Sequence, residues 1–255
     1  MVESTVKLKG GRPKAKYVDW LRTRAWLAYL RSALDCATSN ALKDELEDLM
    51  SGEFEFPVVK YMNAEDFPDA KTRQRVGEIA GLKQASRVYD IGPEVDGENV
   101  PLWQLFEAGY TEFGEVIETG LTYSGKPSLG GDRIALIGQM FLPPEQWQAI
   151  RAQDAFTFEA DNPVQRAADH GDFTPDLRTL AAAIACWRLS MLSDDGVAPM
   201  EYLLQCLLAG PFKPLLDEHL IHAQLTHLVK LLAVEHHGMQ GNWDAADAAF
   251  AGLAT

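Results

Sequence analysis

The feature that most constrains this sequence is a tryptophan-rich segment near its beginning, KAKYVDWLRTRAWLAYLRSALD, residues 14–35. The segment contains no internal glycine or proline, and on a helical wheel Trp20, Arg24, Leu27 and Arg31 fall on one stripe. Large apolar side chains occupy most of the remaining circumference, as in a helix that is surrounded by neighbours. The segment therefore predicts a long core helix.

Positive charge is concentrated in this part of an acidic chain. Residues 1–31 hold eight Lys or Arg against two acidic residues, a local balance of +6, whereas the whole chain carries −14. Because an acidic body repels a polyanion, nucleic-acid contact is expected only at the beginning of the chain. The candidate residues are Lys9, Arg12, Lys14, Lys16, Arg24 and Arg31.

The same charges have a second interpretation. The stems of Arg24 and Arg31 would pack against the helix while their guanidinium groups pair with carboxylates of the chain. The basic arm would in that case dock on an acidic surface of the same chain or of a protein partner.

Composition indicates a globular protein. The chain has 255 residues, of which 47% are hydrophobic, and no apolar run approaches the 18 residues of a membrane span. No membrane contact is predicted. The first residues lack the apolar core of a signal peptide, so a cytoplasmic location is expected. The three cysteines are far apart in apolar segments and are interpreted as free thiols.

A short motif precedes the predicted helix. Gly10-Gly11-Arg12-Pro13-Lys14 resembles the core of an AT-hook, in which an extended Arg-Pro segment lies in the minor groove of DNA. The resemblance implies that Arg12 follows the negative potential of a narrow minor groove.

Residues 25–83 resemble a degenerate helix-turn-helix of the phage-repressor type. The corresponding stretches are TSNALKDEL, VVKYMNAED and FPDAKTRQRVGEIAGL, with helices predicted at residues 41–50 and 69–83. The resemblance implies DNA binding. However, GEFEFP stands at the position of the recognition helix, residues 52–57, and offers no basic or amide side chain to base edges. Reuse of this scaffold for protein contacts is therefore an alternative.

Beyond this part, residues 86–131 look irregular, with a short helix at 102–108 and short strands near 89–91 and 133–137. From residue 143 onward, proline in the first turn and glycine after the last turn punctuate a series of predicted helices. These helices are 144–155, 163–170, 175–193, 199–208, 214–237 and 243–253.

The predicted fold class is mainly α, with a helix-turn-helix-like N-terminal subdomain and a C-terminal helical bundle. Four parts are predicted. They are a basic flexible arm (1–16), a helix-turn-helix-like subdomain (17–110), an irregular connector (111–142) and an acidic helical subdomain (143–255).

Residues that could carry chemistry are few. Five histidines lie between residues 218 and 238, but on a continuous helix His219 and His237 point away from the apolar face. Only Glu218 and His222, at i and i+4, are placed to share a metal ligand, and a solvated helix face without metal is the main interpretation. GLTYSGKP, residues 120–127, lacks the hydroxyl that a phosphate-binding loop needs after its lysine.

No catalytic residue and no cofactor are predicted. The expected function is that of a non-catalytic, DNA-associated regulatory or accessory protein, with the acidic helical part used for self-association or partner binding. The first alternative is a protein-interaction adaptor without DNA contact. The second is an enzyme with a carboxylate and histidine site assembled from distant positions.

Overall fold

The structure, a computed structural model, describes residues 13–50, 55–107, 109–123, 176–194 and 197–239. Within these ranges the fold is mainly α, as predicted. The described α-helices are α1 (Pro13–Ala33), α2 (Ser39–Leu49), α3 (Val58–Met62), α4 (Ala70–Glu78), α5 (Ala85–Asp90), α6 (Phe113–Tyr123), α7 (Leu177–Ser193), α8 (Val197–Ala209), α9 (Lys213–Glu218) and α10 (His222–Met239). A 3₁₀-helix, Gln104–Phe106, and a two-stranded hairpin complete the described elements.

The predicted core helix is confirmed as α1. Its two halves bury their apolar side chains in two different clusters. Val18 and Leu21 in the first half pack with the C-terminal helices, in what is called here the C-terminal core. Trp26 and Leu30 in the second half pack with α2 to α5, in the N-terminal core. The apolar circumference of α1 is therefore explained by two sets of neighbours. Trp26 is completely buried, whereas Trp20 is only half-buried.

Helices α2 and α4 begin where side chains cap them. The Thr38 hydroxyl accepts from the backbone N–H of Ala41 at 3.1 Å, and a carboxylate oxygen of Asp69 accepts from the N–H of Thr72 at 2.7 Å. The helix predicted over 69–83 is wrong in its last turn, because α4 ends at Glu78 and Gly81 follows in a left-handed conformation (φ 90°).

The segment that looked irregular contains regular structure. Residues 85–90 form α5 instead of an extended strand. Strands β1 (Glu94–Val95) and β2 (Glu98–Asn99) pair antiparallel through a two-residue turn in which both Asp96 and Gly97 have positive φ. This is the Asp-Gly hairpin turn, whose twist matches that of the flanking strands. The short helix expected at 102–108 is the 3₁₀-helix.

Helices α6 and α7 pack closely in the C-terminal core. A Cβ atom added to Gly120 would lie 2.3 Å from the carbonyl oxygen of Arg178 and 2.8 Å from Cβ of Ala182. Glycine at this position therefore allows the two backbones to approach. Since α6 lies within 111–142, the predicted irregular connector begins with a helix.

The continuous helix predicted over 214–237 is wrong. Helix α9 ends at Glu218, Leu220 adopts a left-handed conformation (φ 57°), and α10 starts at His222. The break is closed by a backbone hydrogen bond of 2.9 Å from the N–H of Ile221 to the carbonyl oxygen of Leu216. Helical periodicity does not reveal such a break, because Ile221 and Leu225 face the core on either interpretation.

Several predictions fall outside the described residues. They are the helices at 144–155, 163–170 and 243–253 and the strand near 133–137. The three cysteines form no disulfide with one another, and Cys186 is buried. Among the described helices, none is long and apolar enough to cross a lipid bilayer.

Candidate functional site

The structure describes only some of the residues that the sequence predicts to contact nucleic acid. Lys9 and Arg12 lie outside the described residues. Lys14 and Lys16 belong to the first turns of α1, and their side chains lie outside the description. Only Arg24 and Arg31 can be placed by their contacts.

Arg24 makes hydrogen bonds within the molecule. Its Nε donates to the carbonyl oxygen of Leu220 at 2.7 Å, and one terminal nitrogen donates to the carbonyl oxygen of Met62 at 3.4 Å. Burial lowers the pKa of the guanidinium. Both acceptors end or interrupt helices, where carbonyl oxygens lack helical partners. Arg24 therefore joins α1 to the end of α3 and to the turn between α9 and α10.

Arg31 and Arg22 are also used internally. The terminal nitrogen of Arg31 donates to the carbonyl oxygen of Ala37 at 2.6 Å, and its Nε donates to that of Cys36 at 3.4 Å. Arg22 forms an ion pair and hydrogen bond with Glu107. The described arginines of α1 thus stabilise the fold, and two of them bind carbonyl oxygens, not the carboxylates that the sequence interpretation expected.

The place where the arm joins α1 is defined by aromatic contacts. The ring of Tyr17 stacks on that of His227 in α10, with centroids 4.4 Å apart and planes 29° apart. Trp20, on the next turn of α1, donates from its indole N–H to the carbonyl oxygen of Met62 at 3.0 Å. Burial, and then the positive charge of Lys230, lower the pKa of His227. Tyr17, which follows the arm in the sequence, therefore lies beside α10.

The region that resembles a helix-turn-helix has a short third element. Helix α3 has five residues, and eight residues separate it from the end of α2. Beside α3 an open groove of about 510 Å³ is lined by Phe56, Val59, Tyr61 and Phe67, among others. Burial raises the pKa of Tyr61 to about 12, so its hydroxyl stays protonated at neutral pH. The resemblance itself stays a prediction.

The candidate metal ligands Glu218 and His222 are separated by the helix break. His222 places its Nε2 2.9 Å from the carbonyl oxygen of Leu208 and its Nδ1 3.7 Å from a carboxylate oxygen of Asp217. Glu218 is exposed at the end of α9. In the part of the chain that the structure describes, no three His, Cys, Asp or Glu side chains converge in a way that would hold a metal ion.

A buried carboxylate and histidine pair corrects the prediction that His237 lies on a solvated face. His237 Nε2 lies 2.9 Å from Oε2 of Glu201, and the two side chains are 9% and 2% exposed. His236 is also buried, and its ring lies 5.6 Å from that of His237. Within the described part of the chain, His237 Nδ1 and Glu201 Oε1 have no hydrogen-bond partner. The pair joins α10 to α8.

A sequence signal for this pair existed in α8. Glu201 lies on the same helix face as Leu204 and Leu208, three and seven residues later, and all three are buried. A carboxylate on an apolar helix face predicts a buried partner, because an isolated charge is costly to bury. The positions of the histidines along α10 do not by themselves identify His237 as that partner.

Comparison of the chain with protein-family models finds no matching family. No curated protein and no solved structure matches it either.

Proposed function

We propose that this chain is a non-catalytic, DNA-associated accessory protein whose basic arm contacts the phosphate backbone. The acidic helical body would hold that arm and provide surfaces for protein contact. The observation that carries the proposal is a difference between two groups of basic residues at the beginning of the chain: the arginines of α1 bind groups within the protein, and the remaining basic residues precede them in the arm.

Two facts support this difference. Arg22, Arg24 and Arg31 are engaged with Glu107 or with backbone carbonyl oxygens. Residues 7–16, in contrast, contain five Lys or Arg and no acidic residue, while the remainder of the chain has a net charge of −19. A polyanion is repelled by such a body and attracted by the arm alone. The arm, without the arginines of α1, is therefore the proposed DNA contact.

The test is the salt dependence of duplex DNA binding, measured by fluorescence anisotropy. Each lost phosphate contact reduces the slope of log K against log salt by about 0.9. Arg12→Ala/Lys14→Ala is expected to reduce the slope by about 1.8. Lys43→Ala/Lys213→Ala removes the same charge from two ion pairs of the body and is expected to leave the slope unchanged. Equal slopes for the arm variant and the wild type would refute the proposal.

A second candidate function is self-association through the groove beside α3. Val59 lines this groove and is 59% exposed, so it adds accessible apolar surface to that of Phe67 in the same groove. If copies of the chain associate here, light scattering should give a mass above that of one chain, and Val59→Asp should reduce it to one chain. Leu192→Asp changes a leucine of α7 that is 68% exposed and serves as the control. A mass that Val59→Asp does not change would exclude this surface.

A further inference from the structure

The histidine that stacks on Tyr17 differs from the other described histidines. His227 is the one whose side chain is exposed, while His219 and His222 are half-buried and His236 and His237 are buried. Within the described ranges neither ring nitrogen of His227 has a hydrogen-bond partner. One face of its ring is covered by Tyr17. The ring edge therefore stays available to an acceptor such as a phosphate oxygen.

The position of His227 relates it to the arm. Tyr17 follows Lys16 directly, and Pro13 to Tyr17 rises only about 6 Å along α1. Successive phosphates of one DNA strand are about 3.4 Å apart along the duplex axis. A ligand bound by the arm would therefore have phosphates within reach of α10. We propose that His227 is a further DNA phosphate contact, which extends the positive tract of the arm onto α10. This inference rests on the proposed function.

The charge of His227 makes the contact dependent on pH. The groups that face it among the described residues are the ring of Tyr17 in α1 and Lys230, one turn further along α10. Both partial burial and Lys230 favour the neutral ring in the free protein. A phosphate oxygen favours the charged ring, so DNA binding takes up a proton at His227.

The experiment compares the salt dependence of duplex DNA binding at about pH 5.5 and about pH 8, on either side of the ordinary histidine pKa. For the wild type, the slope is expected to be steeper by about 0.9 at the lower pH, which corresponds to one additional phosphate contact. For His227→Gln, the slope of log K against log salt should have the same, shallower value at both pH values. His227→Lys should have the steep slope at both, because its charge is permanent.

His219→Gln is the matched control, since His219 has a lowered pKa but lies in the turn between α9 and α10. It should keep the pH dependence of the wild type. Circular dichroism and urea unfolding would establish that each variant is folded. His227→Gln with the full pH difference, or His227→Lys without a steeper slope at about pH 8, would overturn the inference. If Arg12→Ala/Lys14→Ala binds as the wild type does, the proposed function fails together with this inference.

Discussion

Arg24 donates a hydrogen bond to the carbonyl oxygen of Leu220, 196 residues later in the chain, at 2.7 Å. Leu220 is the residue whose left-handed conformation separates α9 from α10. The bond gives a partner to a carbonyl oxygen at a helix break, where intrahelical bonding fails. A residue that sequence patterns assigned to DNA binding is therefore a link between the two ends of the described structure.

Replacing Arg24 should reduce the free energy of unfolding. Hydrogen bonds to charged groups contribute about 1.5–3 kcal/mol each, so we expect Arg24→Met to cost about 2–4 kcal/mol in urea unfolding. Arg24→Lys should restore only part of this, because one ammonium group does not reproduce the fork that reaches Leu220 and Met62. Arg22→Met removes a partly exposed pair and should cost less than about 1 kcal/mol. Equal costs for Arg24→Met and Arg22→Met would contradict this.

Two glycines of α6 should respond oppositely to alanine. Gly120→Ala places a methyl group against the backbone of Arg178 and should cost about 1–3 kcal/mol by forcing α6 away from α7. Gly114→Ala meets no atom within 4 Å and should be neutral or stabilising by up to about 1 kcal/mol. Thermal unfolding of both variants measures the difference. A stabilising Gly120→Ala would mean that α6 and α7 are further apart than described.

Glu201 and His237 should be strongly coupled. Removing one partner of this buried hydrogen bond leaves the other polar group unsatisfied, so Glu201→Ala and His237→Ala should each cost about 1–3 kcal/mol. The double variant should cost clearly less than the sum of the two, with a coupling free energy of about 1–3 kcal/mol. Urea unfolding of the wild type and the three variants completes the cycle. Additive costs would show that the side chains act independently.

Stability should decrease on mild acidification, in part because of His219. Burial lowers the pKa of His219, although Glu218 opposes this. In the unfolded chain the pKa is about 6.5, so the unfolded state binds more protons between the lowered value and 6.5. The free energy of unfolding therefore falls as the pH decreases below about 6.5. His219→Gln should reduce the difference between urea midpoints measured at about pH 7.5 and pH 5.5, and an unchanged difference would exclude this role.

The parts of the fold that could be predicted are those governed by local chemistry. The cap at Thr38, the apolar circumference of α1 and the apolar stripe from Leu177 to Trp187 depend on residues close together in the sequence. The break at Leu220 and the burial of His237 could not be predicted in this way. The hydrogen-bond partners of these two residues, Arg24 and Glu201, lie 196 and 36 residues away in the sequence.

The candidate site shows the same limit. Charge counting identified the basic beginning of the chain, but it did not separate the arm from the arginines of α1. In a sequence, an arginine that binds carbonyl oxygens cannot be distinguished from one that binds phosphate. The Asp96-Gly97 turn is a different case. Its dipeptide is a known hairpin signal, but flanking strands of only two residues each are too short to show the alternation that predicts a strand.

The contribution of α1 to both cores has a consequence for synthesis of the protein on the ribosome. Arg24 is translated 196 residues before Leu220, so at about 5–20 residues per second roughly 10 to 40 seconds pass before its partner exists. During that interval the side of α1 that carries Val18 and Leu21 lacks its neighbours in α10, whereas the side that carries Trp26 can already join α2 to α5. The nascent chain should therefore leave part of an apolar face of α1 uncovered until α10 has been synthesised, and holdase chaperones are expected to bind it there.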